Sequence, residues 1–229
     1  MLIGGLQKFS LIDYPGKICA IVFTQGCNFR CPYCHNPELV RPELFEKSLD
    51  VWDILSFLET RVGKLDAVEI TGGEPTLQKD LTDFIRKIKE MGFLVKLDSN
   101  GSNPDILENL INEGLVDYIA MDVKAPLRKY KDIIRVDIDA EKIKRSIELI
   151  KSKAPDYEFR TTIVKSLLSK DDIEEIAKTI QGSKIYVLQK FVPSKTLDPN
   201  FITQETYTDE ELGELAKKLE KYVNKCIVR

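Results

Sequence analysis

The stretch ICAIVFTQGCNFRCPYCHN, residues 18–36, begins as one kind of structure and ends as another. Its first seven residues, Ile18 to Thr24, are β-branched or apolar and suit a buried strand. Gln25-Gly26 then breaks the run, and cysteines follow at 27, 31 and 34, with His35, the only histidine of the chain, directly behind the last. In parallel α/β architectures ligands collect where a strand ends and its loop begins, so a strand that empties into three thiols asks for a chemical explanation.

The rest of the chain repeats the first half of that pattern. Five more runs have strand character: AVEIT from Ala67, LVKLD from Leu94, YIAMDVK from Tyr118, YEFRTTIV from Tyr157 and KIYVLQKF from Lys184. Helical spacing lies between them, with Val51, Ile54, Leu55, Leu58 and Val62 in one segment and Leu81, Phe84, Ile85 and Ile88, closed by Gly92, in the next. Asn103-Pro104 suits an N-cap and first helical position, and Gly114 suits the stop. Further helices are expected over 140–153 and 170–181, and a last one over 208–224 opens with the capping-box pattern Thr208-Asp-Glu-Glu211. Strand then helix, six times, predicts an α/β fold: a partial (βα)6 TIM-like barrel, open-sided, with parallel strands and outer helices, since a full eight-unit barrel takes about 250 residues. A single domain over 1–229 is expected, with its core at roughly 18–192.

Composition narrows the function classes. With 43% hydrophobic and 31% charged residues and a formal charge of -3, the chain offers no electrostatic attraction for nucleic acid or an anionic membrane. The segment MLIGGLQKFSLIDYPGK lacks the pattern of a signal peptide, and no apolar run approaches membrane-spanning length, so a cytoplasmic location is expected. There thiols stay reduced, and a cluster of three among five cysteines points to metal or redox chemistry.

Four chemistries share the loop. Cys31-Pro-Tyr-Cys34 has a dithiol spacing of the glutaredoxin kind, which leaves Cys27 without a task. Cys31 to His35 fits covalent haem attachment, which requires export. Zinc through Cys27, Cys31, Cys34 and His35 is a known ligand set, though adjacent Cys34 and His35 reach one tetrahedral ion with difficulty. Three thiolates on an iron-sulfur cluster use every cysteine of the loop.

The spacing Cys-x₃-Cys-x₂-Cys directly after the first strand of an α/β unit resembles the radical SAM superfamily, along nearly the whole chain. The resemblance implies a [4Fe-4S] cluster held by Cys27, Cys31 and Cys34, whose fourth iron is chelated by S-adenosyl-L-methionine. Reductive cleavage of that cofactor would then yield a 5′-deoxyadenosyl radical. It further implies that Gly72, Gly73 and Glu74 of the TGGEP stretch meet the methionine moiety, the glycines by close approach and Glu74 by accepting from the ammonium. Tyr33 takes the aromatic position beside adenine, with backbone up to His35 facing the same ring. Asp98, Asp122, Lys124 and Arg160 sit at strand ends where related enzymes contact the cofactor or a bound monovalent cation.

Within the superfamily, Ser10, Asp13, Pro15, Gly16 and the run Cys34 to Pro37 resemble the glycyl-radical-enzyme activases. The likeness is greatest to those assigned to anaerobic ribonucleoside-triphosphate reductase. The implied activity is hydrogen abstraction from a glycine of a partner glycyl radical enzyme, with an electron donor such as flavodoxin or ferredoxin. No cysteine-rich insert follows the loop, so one cluster is expected. Gln189-Lys190-Phe191 stands where the pyruvate formate-lyase activases carry a histidine. Two alternatives stay open at this level: a radical SAM enzyme acting on a small molecule, and a zinc or dithiol redox protein. On their own, the Gly-Gly pair and the Asp-Ser-Asn-Gly run also suit simple turns.

Overall fold

The computed structural model describes residues 1–229. Eight strands form one sheet in chain order: β1 (Ile3–Ser10), β2 (Cys19–Thr24), β3 (Ala67–Gly72), β4 (Leu94–Ser99), β5 (Tyr118–Asp122), β6 (Tyr157–Ile163), β7 (Tyr186–Lys190) and β8 (Cys226–Val228). Every neighbouring pair is parallel except β1–β2, which is antiparallel. The helices are α1 (Pro37–Val40), α2 (Val51–Glu59), α3 (Leu81–Glu90), α4 (Pro104–Asn112), α5 (Tyr130–Ile134), α6 (Ala140–Lys153), α7 (Lys170–Thr179) and α8 (Asp209–Leu219).

The six expected strands are β2 to β7, and the parallel α/β architecture with outer helices is as the alternation implies. The sheet is nevertheless larger than six units. β1 adds an antiparallel edge, and the expected helix over 208–224 stops at Leu219, after which the chain turns and lays β8 beside β7 with Tyr186 opposite Cys226. The core therefore runs from Ile3 to Val228, beyond the expected 18–192. Thr208 and Glu211 do form the capping box of α8. Asn103 does not cap α4: its amide donates to Thr76 Oγ1 at 2.9 Å, tying the start of α4 to the loop after β3.

Side chains alternate across a strand, and here the two faces differ in kind. Outward residues Val68, Ile70, Val95, Leu97, Ile119 and Met121 are fully buried in the main core, to which the helices contribute faces such as Leu81, Phe84, Ile85 and Ile88 of α3. Inward residues change along the strands. Near the strand starts Cys19, Ile21, Ala67, Tyr118 and Ala120 cluster with Tyr14. Further along come Glu69 and Lys96, then Asp98 and Asp122 near the C-terminal ends of β4 and β5, with Arg160, which the sequence reading puts at a strand end, in the middle of β6 opposite Asp122. The interior is thus mostly apolar at one end, where the buried Glu158 is paired with Arg229 and the Tyr118 hydroxyl, and ionic toward the other.

The strand order is linear, with β1 and β8 as its two edges, so the barrel stays open on one side. A groove there is bordered by Gln7, Ile12 and Asp13 on one flank and by Gln189 and Arg229 on the other, with Glu69 and Lys96 on its floor. No helix is long and apolar enough to cross a membrane.

Candidate active site

The C-terminal strand ends surround a cavity of about 300 Å³. Its lining contains Cys27, Cys31, Cys34, Tyr33, His35, Gly72, Gly73, Glu74, Asp98, Asp122, Lys124 and Arg160, every residue that the sequence offers for a cluster or cofactor, whereas Ser10, Asp13, Pro15 and Gly16 lie outside it. Ser99 and Asn100, which the sequence offers only as turn residues, line it too, as do Thr71, Thr162 and Gln189.

All five cysteines are free thiols. Burial pushes the Cys27 thiol up to about 12 and Cys31 to about 11, and raises Cys34 as well. Buried thiols resist ionisation unless a positive centre takes up the charge, as a metal does. No three His, Cys, Asp or Glu side chains converge on one point as a mononuclear site. His35 is turned away from such a role: it stacks on Phe191 with centroids 5.3 Å apart, and Nε2 donates to the Val192 carbonyl at 2.9 Å. The Cys₃His zinc arrangement is therefore not formed. Cysteine ligands of a polynuclear cluster each bind a different iron and need no common point. Phe191, just past the end of β7, thus packs against the histidine of the loop.

The loop backbone is strapped down from several directions. Arg30 Nη1 donates to the carbonyls of Cys27 at 2.6 Å and Phe29 at 2.8 Å, and Arg30 N donates to Ile134 O at 2.8 Å. The Asn28 amide donates to Ser102 Oγ and accepts from Asn100 Nδ2, both at 2.9 Å. Leu197 N and Asp198 N donate to the carbonyls of Cys34 and Pro32 at 2.9 and 3.0 Å. Tyr33 is only 4% exposed, and its hydroxyl has no partner. An unpaired buried hydroxyl beside the thiols suits a group that is held from outside the chain.

The glycine pair is required by the chain itself. Gly73 N donates to Thr24 O and Glu74 N to Gly26 O, at 2.8 and 2.7 Å. A Cβ on Gly73 would stand 2.1 Å from Gly26 O, and one on Gly72, at φ +114°, would stand 2.4 Å from Thr24 N. Small size is needed here for the β3 loop to lie on the cysteine loop, before any ligand is considered. Glu74, 1% exposed, accepts from Thr76 N, Thr76 Oγ1 and Ser99 Oγ on Oε1, and from Asn100 N at 2.6 Å on Oε2. Burial raises its carboxyl against these four donors. A carboxylate offers about four acceptor directions, so Oε2 keeps at most one for a ligand. Glu74 is first a staple between the β3 and β4 loops.

The charged residues form one ladder. Lys96 Nζ contacts Glu69 Oε1 at 2.8 Å and Asp98 Oδ1 at 2.6 Å. Arg160 joins Asp98 Oδ2 at 2.9 Å to Asp122 Oδ1 at 2.8 Å, and Lys124 closes on Asp122 Oδ2 at 2.9 Å. Burial alone would raise Asp98, but Arg160 and Lys96 outweigh it and hold the carboxyl well below the usual range. Glu69 shares Lys96 and has no second cation, so burial and the charge of Asp98 push it up to about 8. Neither Glu69 nor Lys96 stood out in the sequence, because both sit mid-strand in runs that read as buried apolar segments.

The model of the Radical SAM superfamily matches residues 21–181, from β2 to the end of α7. A protein of Methanocaldococcus jannaschii assigned as a glycyl-radical enzyme activating enzyme is 39% identical across 100% of this chain and 95% of its own. The chain belongs to the radical SAM superfamily. Within it, the likeness extends to a pyruvate formate-lyase-activating enzyme of Clostridium pasteurianum, 27% identical over 98% of both chains. Streptococcus suis SuiB, solved with S-adenosylmethionine, shares the fold with a TM-score of 0.67 at 15% identity, over 91% of this chain and 49% of that one. The radical SAM fold and the cysteine spacing thus agree with the resemblance drawn from the loop.

Proposed function

We propose that this protein is the activase of a glycyl radical enzyme, and that anaerobic ribonucleoside-triphosphate reductase is its partner. The observation that carries the activase reading is the gathering of the three thiols, the Gly-Gly-Glu staple and the strand-end charges around one cavity. The full-length likeness to a relative assigned as a glycyl-radical enzyme activating enzyme supports it. The choice of reductase rests on the sequence resemblance of the loop and of Ser10, Asp13, Pro15 and Gly16. Cys27, Cys31 and Cys34 would hold the [4Fe-4S] cluster, and Gly72, Gly73 and Glu74 would border the bound S-adenosylmethionine.

Bound there, and given an electron from a donor such as flavodoxin or ferredoxin, the two groups would supply radical chemistry able to take hydrogen from a glycine Cα. The chain's own residues do the rest. Gly73 lets the β3 loop lie flat on the cysteine loop, Glu74 fixes its height, and Arg160 and Lys124 present cations toward the space where a carboxylate group would lie. The open side between β1 and β8 leaves a path for a segment of another protein, which a closed barrel would deny.

Electron paramagnetic resonance on anaerobically reconstituted, reduced protein tests the reading. A cubane signal that changes on addition of S-adenosylmethionine, followed by a glycyl radical signal when the reductase is added, is the expected result. A cluster indifferent to S-adenosylmethionine would refute the activase reading, and a radical on another glycyl radical enzyme alone would refute the choice of partner.

A further inference from the structure

The resemblance allowed for a monovalent cation at the strand ends, and the residues present do not fit one. An alkali ion in a buried site is held by several oxygen ligands. Here each of the four carboxylate oxygens of Asp98 and Asp122 already lies within 2.9 Å of a side-chain nitrogen of Lys96, Arg160 or Lys124. Glu69 keeps its proton up to about 8, so near neutral pH the two strand-end carboxylates already face three cations. A further ion would add uncompensated charge to an interior where that is strongly disfavoured, or would have to displace an ammonium that the backbone tethers in place.

Lys96 decides this balance. It is 1% exposed, it points inward from the middle of β4, and its ammonium spans Glu69 and Asp98. It borders the lateral groove and not the cavity, so it acts on the cavity only through Asp98. We propose that Lys96 is a built-in cation: it neutralises the strand-end carboxylates in place of an alkali ion, so that this protein forms its cavity and binds its cofactor without Na⁺ or K⁺. The cofactor half of this statement rests on the radical SAM reading above. Lys96 is then a positioning residue that holds Asp98 in place for Arg160.

The test compares tetramethylammonium, sodium and potassium chlorides at equal ionic strength. The wild-type protein without cofactor should melt at one temperature in all three. Lys96→Gln and Lys96→Met should melt lower in tetramethylammonium and recover with Na⁺ or K⁺ along the saturable curve of a ligand that binds only the folded state. After cluster loading, wild-type affinity for S-adenosylmethionine should agree within about twofold across the salts, whereas the variants should lose about tenfold in tetramethylammonium and regain it with the alkali ion. A saturable rise of the wild-type melting temperature with Na⁺ or K⁺ would overturn the proposal. So would Lys96 variants as stable as wild type and indifferent to salt. Should neither variant fold, the wild-type melts decide alone. Failure of S-adenosylmethionine to bind in every salt would count against the functional reading instead, with the melts still deciding the role of Lys96.

Discussion

Two regions border the same cavity and are finished to different degrees. Along the ladder from Glu69 to Lys124 every cation touches a carboxylate and every carboxylate a cation. In the cysteine loop the buried Cys31 and the half-buried Cys27 and Cys34 have no such partner, their protons are held tightly, and the Tyr33 hydroxyl beside them is unpaired. Low-dielectric surroundings penalise uncompensated charge in both places. The chain supplies the compensation in one region and not in the other, which is where the proposed function places a bound group.

Substitutions that move one region toward the condition of the other break this contrast in graded ways. The largest effect is expected from Cys27→Ala, Cys31→Ala or Cys34→Ala. Each should abolish iron loading and cofactor cleavage, followed by iron content and product chromatography, while the apo protein melts close to wild type because no thiol is tied into the fold by a strong bond. Next comes Lys96→Met, which strips the ladder of one cation. Leaving a buried charge without its partner costs about 3–5 kcal/mol, to be read by denaturant unfolding in a salt without alkali ions. Gly73→Ala should follow at about 1–3 kcal/mol, since the new methyl must push the β3 loop off Gly26. The same variant should load iron poorly, because the cysteine loop shifts with it.

A smaller effect separates the two ends of the ladder by pH. The folded state keeps the Glu69 proton up to about 8, whereas the unfolded chain releases it near 4.5, so the folded state binds more protons between these values and stability falls as pH rises through the window. Asp98 has the opposite sign: its carboxyl is held below the usual range, and its contribution is lost only as acid protonates it. Glu69→Gln should therefore flatten the decline of the melting temperature toward pH 8 and leave the acid limb unchanged. The smallest effect is expected from Tyr33→Phe. Removing a buried hydroxyl that has no partner is nearly neutral for the apo protein, within about 0.5 kcal/mol.

The sequence carried the loop further than the ladder for a physical reason. Cysteine spacing is local, so Cys27, Cys31 and Cys34 announce themselves within eight residues, and the strand before them locates the loop. Asp98, Asp122, Lys124 and Arg160 come into view only through the rule that ligands gather at strand ends. Two pairs of the ladder, Lys96–Asp98 and Lys124–Asp122, are two residues apart, but those that link strand to strand, Lys96 to Glu69 and Arg160 to Asp98 and Asp122, are encoded by no spacing along the chain. The same distinction explains the missed strands. β1 is half exposed, starts Ile3-Gly-Gly and carries Lys8, so it lacks the apolar run that marks β2 to β7. β8 is three residues long and gains its meaning only from pairing with β7. Glu74 shows the reverse case: its motif was legible, but the four donors that occupy it were not.

The straps on the cysteine loop bear on how the protein matures. Arg30 clasps the carbonyls at the near end, Leu197 and Asp198 clasp those at the far end, and Asn28 and Asn100 lock the flank, all through groups that owe nothing to iron. The receptacle is therefore standing before it is filled. On the function proposed above, iron and sulfide would then enter a preset frame, in which the chain gives up little further freedom.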